Sequence, residues 1–247
     1  MRILLFLPFI ISNYVYADEW DKVRSYGLAN GKSYTISSGT GFFISNNYII
    51  TNEHVVEQCV NISIRGAVKP SIAKLVSVDV HEDLALLYTT SNPKQIANIR
   101  SNDGLNINDP LTIVGYPLNH SIDGMSVVTK SNLIGFDSPI THAKQVEFVA
   151  NIEHGNSGGP LLDNSGNVIG VIKAVQKFFH TNNNVTETQP FKVSGIAIGL
   201  GSLKAFLNKN LSYFHLSPSS GFVANYNIET RANDYIVNIH CIQNKNS

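Results

Sequence analysis

Gly155-Asn156-Ser157-Gly158-Gly159-Pro160 is the stretch on which the reading of this chain turns. A serine set among three glycines forms helices and strands poorly and suits a tight turn whose backbone N–H groups point one way. That geometry serves one chemistry well: the serine oxygen attacks a carbonyl while the N–H groups of Gly155 and Ser157 hold the developing oxyanion. Taken alone, the turn is equally what a plain hairpin loop looks like. A serine hydroxyl is also a weak nucleophile at neutral pH; it needs a base, and the base needs an acid to orient it. The nucleophile reading therefore stands or falls on a histidine and an acid elsewhere in the chain.

Both are there. Tyr48-Ile49-Ile50-Thr51-Asn52-Glu53-His54-Val55-Val56 reads as a strand running into a polar turn that carries His54. His81-Glu82-Asp83-Leu84-Ala85-Leu86-Leu87 sets Asp83 at the mouth of an apolar strand. His, Asp, Ser is the chain order of the chymotrypsin-type template. With these segments the chain resembles a trypsin-like serine protease and, more narrowly, the protease domain of the high-temperature-requirement (Deg-type) family. The matching blocks are Ser38-Gly39-Thr40-Gly41-Phe42-Phe43-Ile44, Thr51-Asn52-Glu53-His54-Val55-Val56, Asp83-Leu84-Ala85-Leu86-Leu87, Gly115-Tyr116-Pro117 and Gly155-Asn156-Ser157-Gly158-Gly159-Pro160. They run from about Gly39 to about Leu207.

The resemblance implies acyl transfer on polypeptide substrates, with no cofactor. His54 takes the proton of Ser157 and later protonates the leaving amine, Asp83 fixes the imidazole, and Gly155 with Ser157 forms the oxyanion hole. Asp79 competes for the role of the acid. Asp79, His81 and Asp83 alternate and could share a strand face as metal ligands, but no further ligand cluster accompanies them, so no metal is expected.

Composition narrows the classes. The 247 residues carry 18 basic and 18 acidic side chains, a formal net charge of zero, with 43% hydrophobic residues. A nucleic-acid binder would show a basic surplus, and a disordered chain would lack the apolar content. Residues 1–17 read as a secretory signal peptide: Arg2, an apolar run from Ile3 to Ile11, and Val15-Tyr16-Ala17 before the cut. That run is about half the roughly 20 residues needed to span a bilayer, so the protein is expected to be exported, periplasmic or secreted, without a membrane anchor. Cys59 and Cys241 are the only cysteines, and an even pair in an exported chain makes a disulfide the expectation.

Short strands separated by turns, with hardly any helical periodicity, argue for an all-β fold of closed antiparallel barrels. Strands are expected at 41–44 and 48–50 as a hairpin, then at 59–65, 72–80 and 84–88. Residues 91–109, rich in Asn, Asp, Ser and Pro, form a connector. Further strands follow at 111–115, 125–136, 145–150, 168–174 and 193–198. With the resemblance, this is a double barrel of two six-stranded units: barrel 1 about 34–92 and barrel 2 about 108–200. A helix at about 202–211 has Leu203, Phe206 and Leu207 at helical spacing. The peptidase domain then spans 18–212, and 213–247 is a C-terminal extension with one extra strand at 235–242. Deg-type proteases usually continue into PDZ domains of roughly 90 residues each; the residues after Leu211 are too few for one. Peptide-gated assembly is therefore not carried over, and the oligomeric state stays open.

Asn156 stands where pancreatic-type relatives carry an aspartate that pairs with a newly cut amino terminus. A neutral side chain offers no such ion pair, so activation by cleavage is not expected. The Deg-type alternative is the ordering of loops, with residues 178–189 as a candidate. The pocket for the residue before the scissile bond is, by the resemblance, walled by Asn151-Ile152-Glu153-His154 and by Gly195-Ile196-Ala197-Ile198. Asn151 puts no charge at its base, and Ile196, Ala197 and Ile198 make it narrow and apolar, which favours cleavage after small or medium aliphatic residues; Glu153 is the one carboxylate that could admit a base. Two other classes stay in view. One is a protease-like binding or chaperone module with an idle site; the other is an esterase, which the chain order His, Asp, Ser opposes for an α/β-hydrolase.

Overall fold

The computed structural model describes residues 19–118, 125–150, 152–179, 181–182, 185–186, 190, 192–219 and 225–245. The expected signal peptide, Asn151 and half of the 178–189 segment lie outside them. In chain order come α1 (Glu19–Arg24), β1 (Tyr34–Ser45), β2 (Tyr48–Thr51), α2 (Glu53–Val56), β3 (Asn61–Gly66), β4 (Ser71–Asp79) and β5 (Leu84–Tyr88). Then follow β6 (Ile99–Arg100), β7 (Pro110–Gly115), β8 (Val127–Phe136), β9 (Gln145–Val149), β10 (Pro160–Leu162) and β11 (Val168–Phe178). The rest are β12 (Thr181–Asn182), β13 (Val185–Thr186), β14 (Lys192–Gly199), α3 (Leu200–Asn210), β15 (Leu216–Ser217), α4 (Asn225–Asn233) and β16 (Ile236–Asn244).

Six strands close the first barrel in the order β1, β16, β3, β4, β5, β2. The hairpin of β1 and β2 pairs Phe42 with Ile50 and Phe43 with Ile49. Phe42, Phe43, Ile44, Ile49, Ile50, Leu84, Leu86 and Leu87 are fully buried. Their apolar runs are continuous because one face fills the barrel while the other packs on neighbouring elements. The C-terminal strand expected as an extra is present, and it completes the ring. β16 pairs antiparallel with β1 from Gln243 opposite Thr35 to Ile236 opposite Phe42, and with β3 on its other edge. Without it, β1 and β3 would each expose an edge of unpaired N–H and C=O groups. A disulfide joins Cys59 to Cys241, with Cα atoms 5.3 Å apart, and fixes the chain leaving α2 to β16.

The second barrel runs β10, β7, β8, β9, β14, β11 and closes where β10 pairs with β11. β6 and β15 extend it as short parallel strands beyond β11. α3 buries Leu200, Leu203, Phe206 and Leu207 against this barrel. One apolar core is continuous through both units.

Three elements left little trace in the sequence. β10 has only three residues and begins at Pro160. α1 is a single polar turn and a half with one apolar anchor, Trp20, which is 4% exposed. α4 reads as mostly polar and, among its described side chains, buries Ile228 and Ala232, one helical turn apart.

Candidate active site

His54 is the second residue of α2, and Asp83 opens the turn into β5 with a left-handed φ of 60°. The two are locked together at both ends. Asn52 Nδ2 donates to the Asp83 carbonyl at 3.0 Å, and the His54 backbone N–H donates to Asp83 Oδ1 at 3.1 Å. His54 Nδ1 lies 3.0 Å from each carboxylate oxygen. Asp83 is 8% exposed, and a carboxylate only accepts. Nδ1 therefore carries the hydrogen, which leaves Nε2 as the basic nitrogen facing the cleft. Burial raises the pKa of neighbouring Glu53, helped by Glu57 and Asp83 and opposed by His54. Asp79 points elsewhere: its Oδ1 accepts the Glu82 N–H at 3.0 Å. His81 is exposed beside Glu82.

The Ser157 turn is held from both barrels through its carbonyls. Leu118 N–H donates to the His154 carbonyl at 2.8 Å, and Thr40 Oγ1 donates to the Gly155 carbonyl at 2.6 Å. Gly159 N–H donates to the Asn156 carbonyl at 3.0 Å, and Thr40 N–H to the Ser157 carbonyl at 2.8 Å. Thr40 Oγ1 also accepts the Tyr116 N–H at 2.9 Å. Beyond the turn, Gly158 N–H donates to Ile172 O, and Ile172 N–H to Gly159 O. Four consecutive carbonyls are thus turned outward and occupied. The N–H groups of Gly155 and Ser157 have no acceptor among the described residues. Glycine is required twice here. Gly155 has φ +100°, and a Cβ there would run into the Tyr116 carbonyl; Gly158 has φ +83°, and a Cβ would meet the Thr40 carbonyl and Thr51 Oγ1.

Ser157 and His54 line one cleft of about 450 Å³ together with Ile36, Leu118, His154 and His240. The Ser157 hydroxyl donates to the Lys173 carbonyl at 3.4 Å, and no hydrogen bond joins it to His54. Two participants were not read from the sequence. Thr40 lay inside a matching block with no role attached. Lys173 places its Nζ 3.8 Å from Asp83 Oδ2, and nothing near it in the sequence signals that.

The residues expected around the specificity pocket are dispersed. His154 is exposed in the cleft, whereas Ile152 lines a separate cavity of about 380 Å³ with Pro117, Val127, Glu153 and Asn156. Ile196 is 8% exposed, and Ala197 and Ile198 belong to the apolar core. Asn156 is itself 3% exposed, and its Oδ1 packs against Gly115.

Comparison with known proteins places this geometry. A family model described as the trypsin-like peptidase domain matches residues 39–171, more than half of the chain. An uncharacterized protein y4bJ from Sinorhizobium fredii is 36% identical over 138 residues, 55% of this chain and 22% of that protein. A probable periplasmic serine endoprotease, DegP-like, from Pseudomonas fulva is 32% identical over 139 residues, 55% of this chain and 28% of that protein. The chain therefore matches under a third of the length of these relatives. Among solved structures, the inactive form of the Rv3671c protease from M. tuberculosis superimposes with a TM-score of 0.53 at 26% identity, covering 72% of this chain and 87% of that one. The serine endoprotease from Yersinia pestis gives 0.55 at 26% identity, covering 69% and 56%. The matched span runs from β1 into β11 and so takes strands from both barrels; this chain belongs to the trypsin-like peptidase domain family and is homologous to the DegP and HtrA-type proteases.

Proposed function

We propose that this chain is an exported serine endopeptidase in which Ser157 is the nucleophile, His54 the general base and acid, and Asp83 the orienting carboxylate. The observation that carries the reading is the pair of N–H groups on Gly155 and Ser157 that have no acceptor among the described residues. Both residues line the cleft, so a ligand oxygen placed there can accept from the two amides together. In the reaction, Ser157 Oγ attacks the scissile carbonyl as its proton passes to His54 Nε2. The carbonyl oxygen becomes an oxyanion between the Gly155 and Ser157 amides, each such donor contributing about 3–4 kcal/mol to the transition state. The imidazolium then gives its proton to the leaving amine, and water repeats the sequence on the acyl-enzyme.

The cleft suits an extended chain. Among the described residues, β11 has a partner on only one edge from Ala174 to Phe178, so a substrate strand can add to the other. Small or medium aliphatic residues before the scissile bond are favoured by the sequence resemblance, in which the uncharged Asn151 offers no partner to a buried ammonium. Export is supported by the apolar leader Ile3 to Ile11, by the Cys59–Cys241 bond, which suits an oxidising compartment, and by the periplasmic naming of the Pseudomonas relative.

A second reading, a binding module with an idle site, draws on the Ser157 hydroxyl facing the Lys173 carbonyl instead of His54. Catalytic hydrogen bonds are often long before substrate binds, so that contact does not weigh against catalysis. A peptide-library cleavage profile, with Ser157→Ala as control, tests both. Cuts after Val, Ala or Leu that vanish in the control are expected. A profile dominated by Lys and Arg contradicts the pocket, and cleavage by neither protein favours the idle site.

A further inference from the structure

We infer that Lys173 is a positioning residue that acts on His54 through the Asp83 carboxylate. The inference rests on the Ser157, His54 and Asp83 roles proposed above and adds a fourth side chain to them. Lys173 Nζ lies 3.8 Å from Asp83 Oδ2. Among the described residues that oxygen has one other partner, His54 Nδ1, whereas Oδ1 also takes the His54 backbone N–H. The Asp83 side chain is 11% exposed and that of Lys173 39%. The ammonium thus sits at the rim while the carboxylate is enclosed.

The backbone explains how a lysine reaches this point. The register between β11 and β14 slips between Ile172 and Ala174, and Lys173 is the residue at the slip. A bulge of this kind re-aims a side chain relative to the strand's alternation. Ile172 is pinned to Gly158 and Gly159, so Lys173 follows immediately after a fixed point of the nucleophile turn. Its carbonyl takes the Ser157 hydroxyl and its ammonium faces Asp83. One residue touches both ends of the proton path.

The charged groups around Asp83 are His54 and Glu53 from α2, with Glu57 just beyond it, and Lys173 from β11. Glu82 and His81 precede Asp83 in its own turn, and Asp79 closes β4 with its carboxylate on the Glu82 amide. Lys173 is the lysine paired with Asp83 in this set. A cation beside Asp83 helps to seat that carboxylate, and its charge opposes a second positive charge on His54. Loss of the Lys173 charge should therefore make the imidazolium easier to form. The imidazolium of the transition state gains correspondingly less from Asp83. Because Lys173 is partly exposed, the effect is modest and weakened by salt.

The test uses the full mature chain and one peptide substrate. kcat/KM is measured against pH for the parent, Lys173→Met and Lys173→Arg. The His54 imidazole is titrated by NMR in the Ser157→Ala background with Lys or Met at position 173. In Lys173→Met the acid limb should move up by about half a pH unit, the size expected of a partly exposed charge, and the NMR midpoint should move the same way. Lys173→Arg should keep the parent limb. Raising the salt to about 1 M should carry the parent limb toward that of Lys173→Met. Superimposable limbs for Lys173→Met and the parent overturn the role of Lys173 while leaving the triad intact. If Lys173→Met does not fold, a parent limb that ignores salt overturns it equally. Cleavage that survives in Ser157→Ala would instead bring down the underlying reading.

Discussion

Asp79 and Asp83 lie four residues apart at the two ends of one turn. Asp83 meets His54 Nδ1 at 3.0 Å with both oxygens, while Asp79 accepts the Glu82 N–H. Asp83→Asn should therefore lower kcat by about four orders of magnitude, because an amide can hold the imidazole in the wrong tautomer. Asp79→Asn should change it little. Steady-state kinetics on one peptide checks this, and equal losses at the two positions would reverse the assignment. At this scale the sequence was informative where chemistry demands a residue type in a local frame. His54 sits in an Asn-Glu-His-Val-Val block, Asp83 precedes an apolar run, and Ser157 is ringed by glycines. Thr40 and Lys173 escaped for the opposite reason. Thr40 matters because its hydroxyl spans two barrels. Lys173 matters because of a register slip. Neither property is written in the neighbouring residues.

Strands were legible as elements because alternation and apolar runs are local signals; their partners were not. β16 could be read as a strand, but its place between β1 and β3 depends on pairing Ser38 with His240, some two hundred positions apart. Two predictions belong to this strand. The first concerns the disulfide, which closes a separation of 182 residues. Such bonds contribute about 2–4 kcal/mol. Cys59→Ala with Cys241→Ala should lower the thermal midpoint, and the parent should show no alkylatable thiol without reductant; equal midpoints or two free thiols would contradict it. The second concerns His240. Its ring lies 4.8 Å from that of Trp20, tilted at 56°, and the Trp20 face also meets Arg65 and Arg24. Burial first, then Arg24 and Arg65, depress its pKa from 6.5 to about 4. The unfolded chain therefore binds the proton first as pH falls. The stability tied to a neutral His240 is complete above pH 6.5 and is lost progressively as the pH drops toward about 4. The full effect is on the order of 3 kcal/mol. Thermal midpoints measured across this window should fall in the parent and fall less in His240→Gln. Parallel curves would remove His240 as the cause.

At the scale of the whole molecule, two barrels must be held in one relation, because His54 and Asp83 come from the first and Ser157 from the second. Outside the cleft, a buried ion pair ties the connector to the second barrel. Arg100 Nη1 donates to Asp163 Oδ2 at 2.7 Å, with side chains 5% and 0% exposed. Asp163 also takes the amides of Ser165 and Asn167 and the hydroxyl of Ser219. The connector, the turn before β11 and the segment after β15 thus meet at one carboxylate. Removing one partner of a buried pair strands the other, typically at about 3–5 kcal/mol. Arg100→Leu should lose that much in chemical denaturation, and a loss under about 1 kcal/mol would show the pair to be no more than a surface contact. The central claim, that Ser157 is a nucleophile activated across the two barrels by His54, has a direct test. The mature protein is treated with a fluorophosphonate and the adduct is located by peptide mass spectrometry. One adduct on Ser157 is expected in the parent and none in His54→Ala, with both proteins folded by circular dichroism. No adduct in the parent, or labelling of Ser157 undiminished by the loss of His54, would contradict the account.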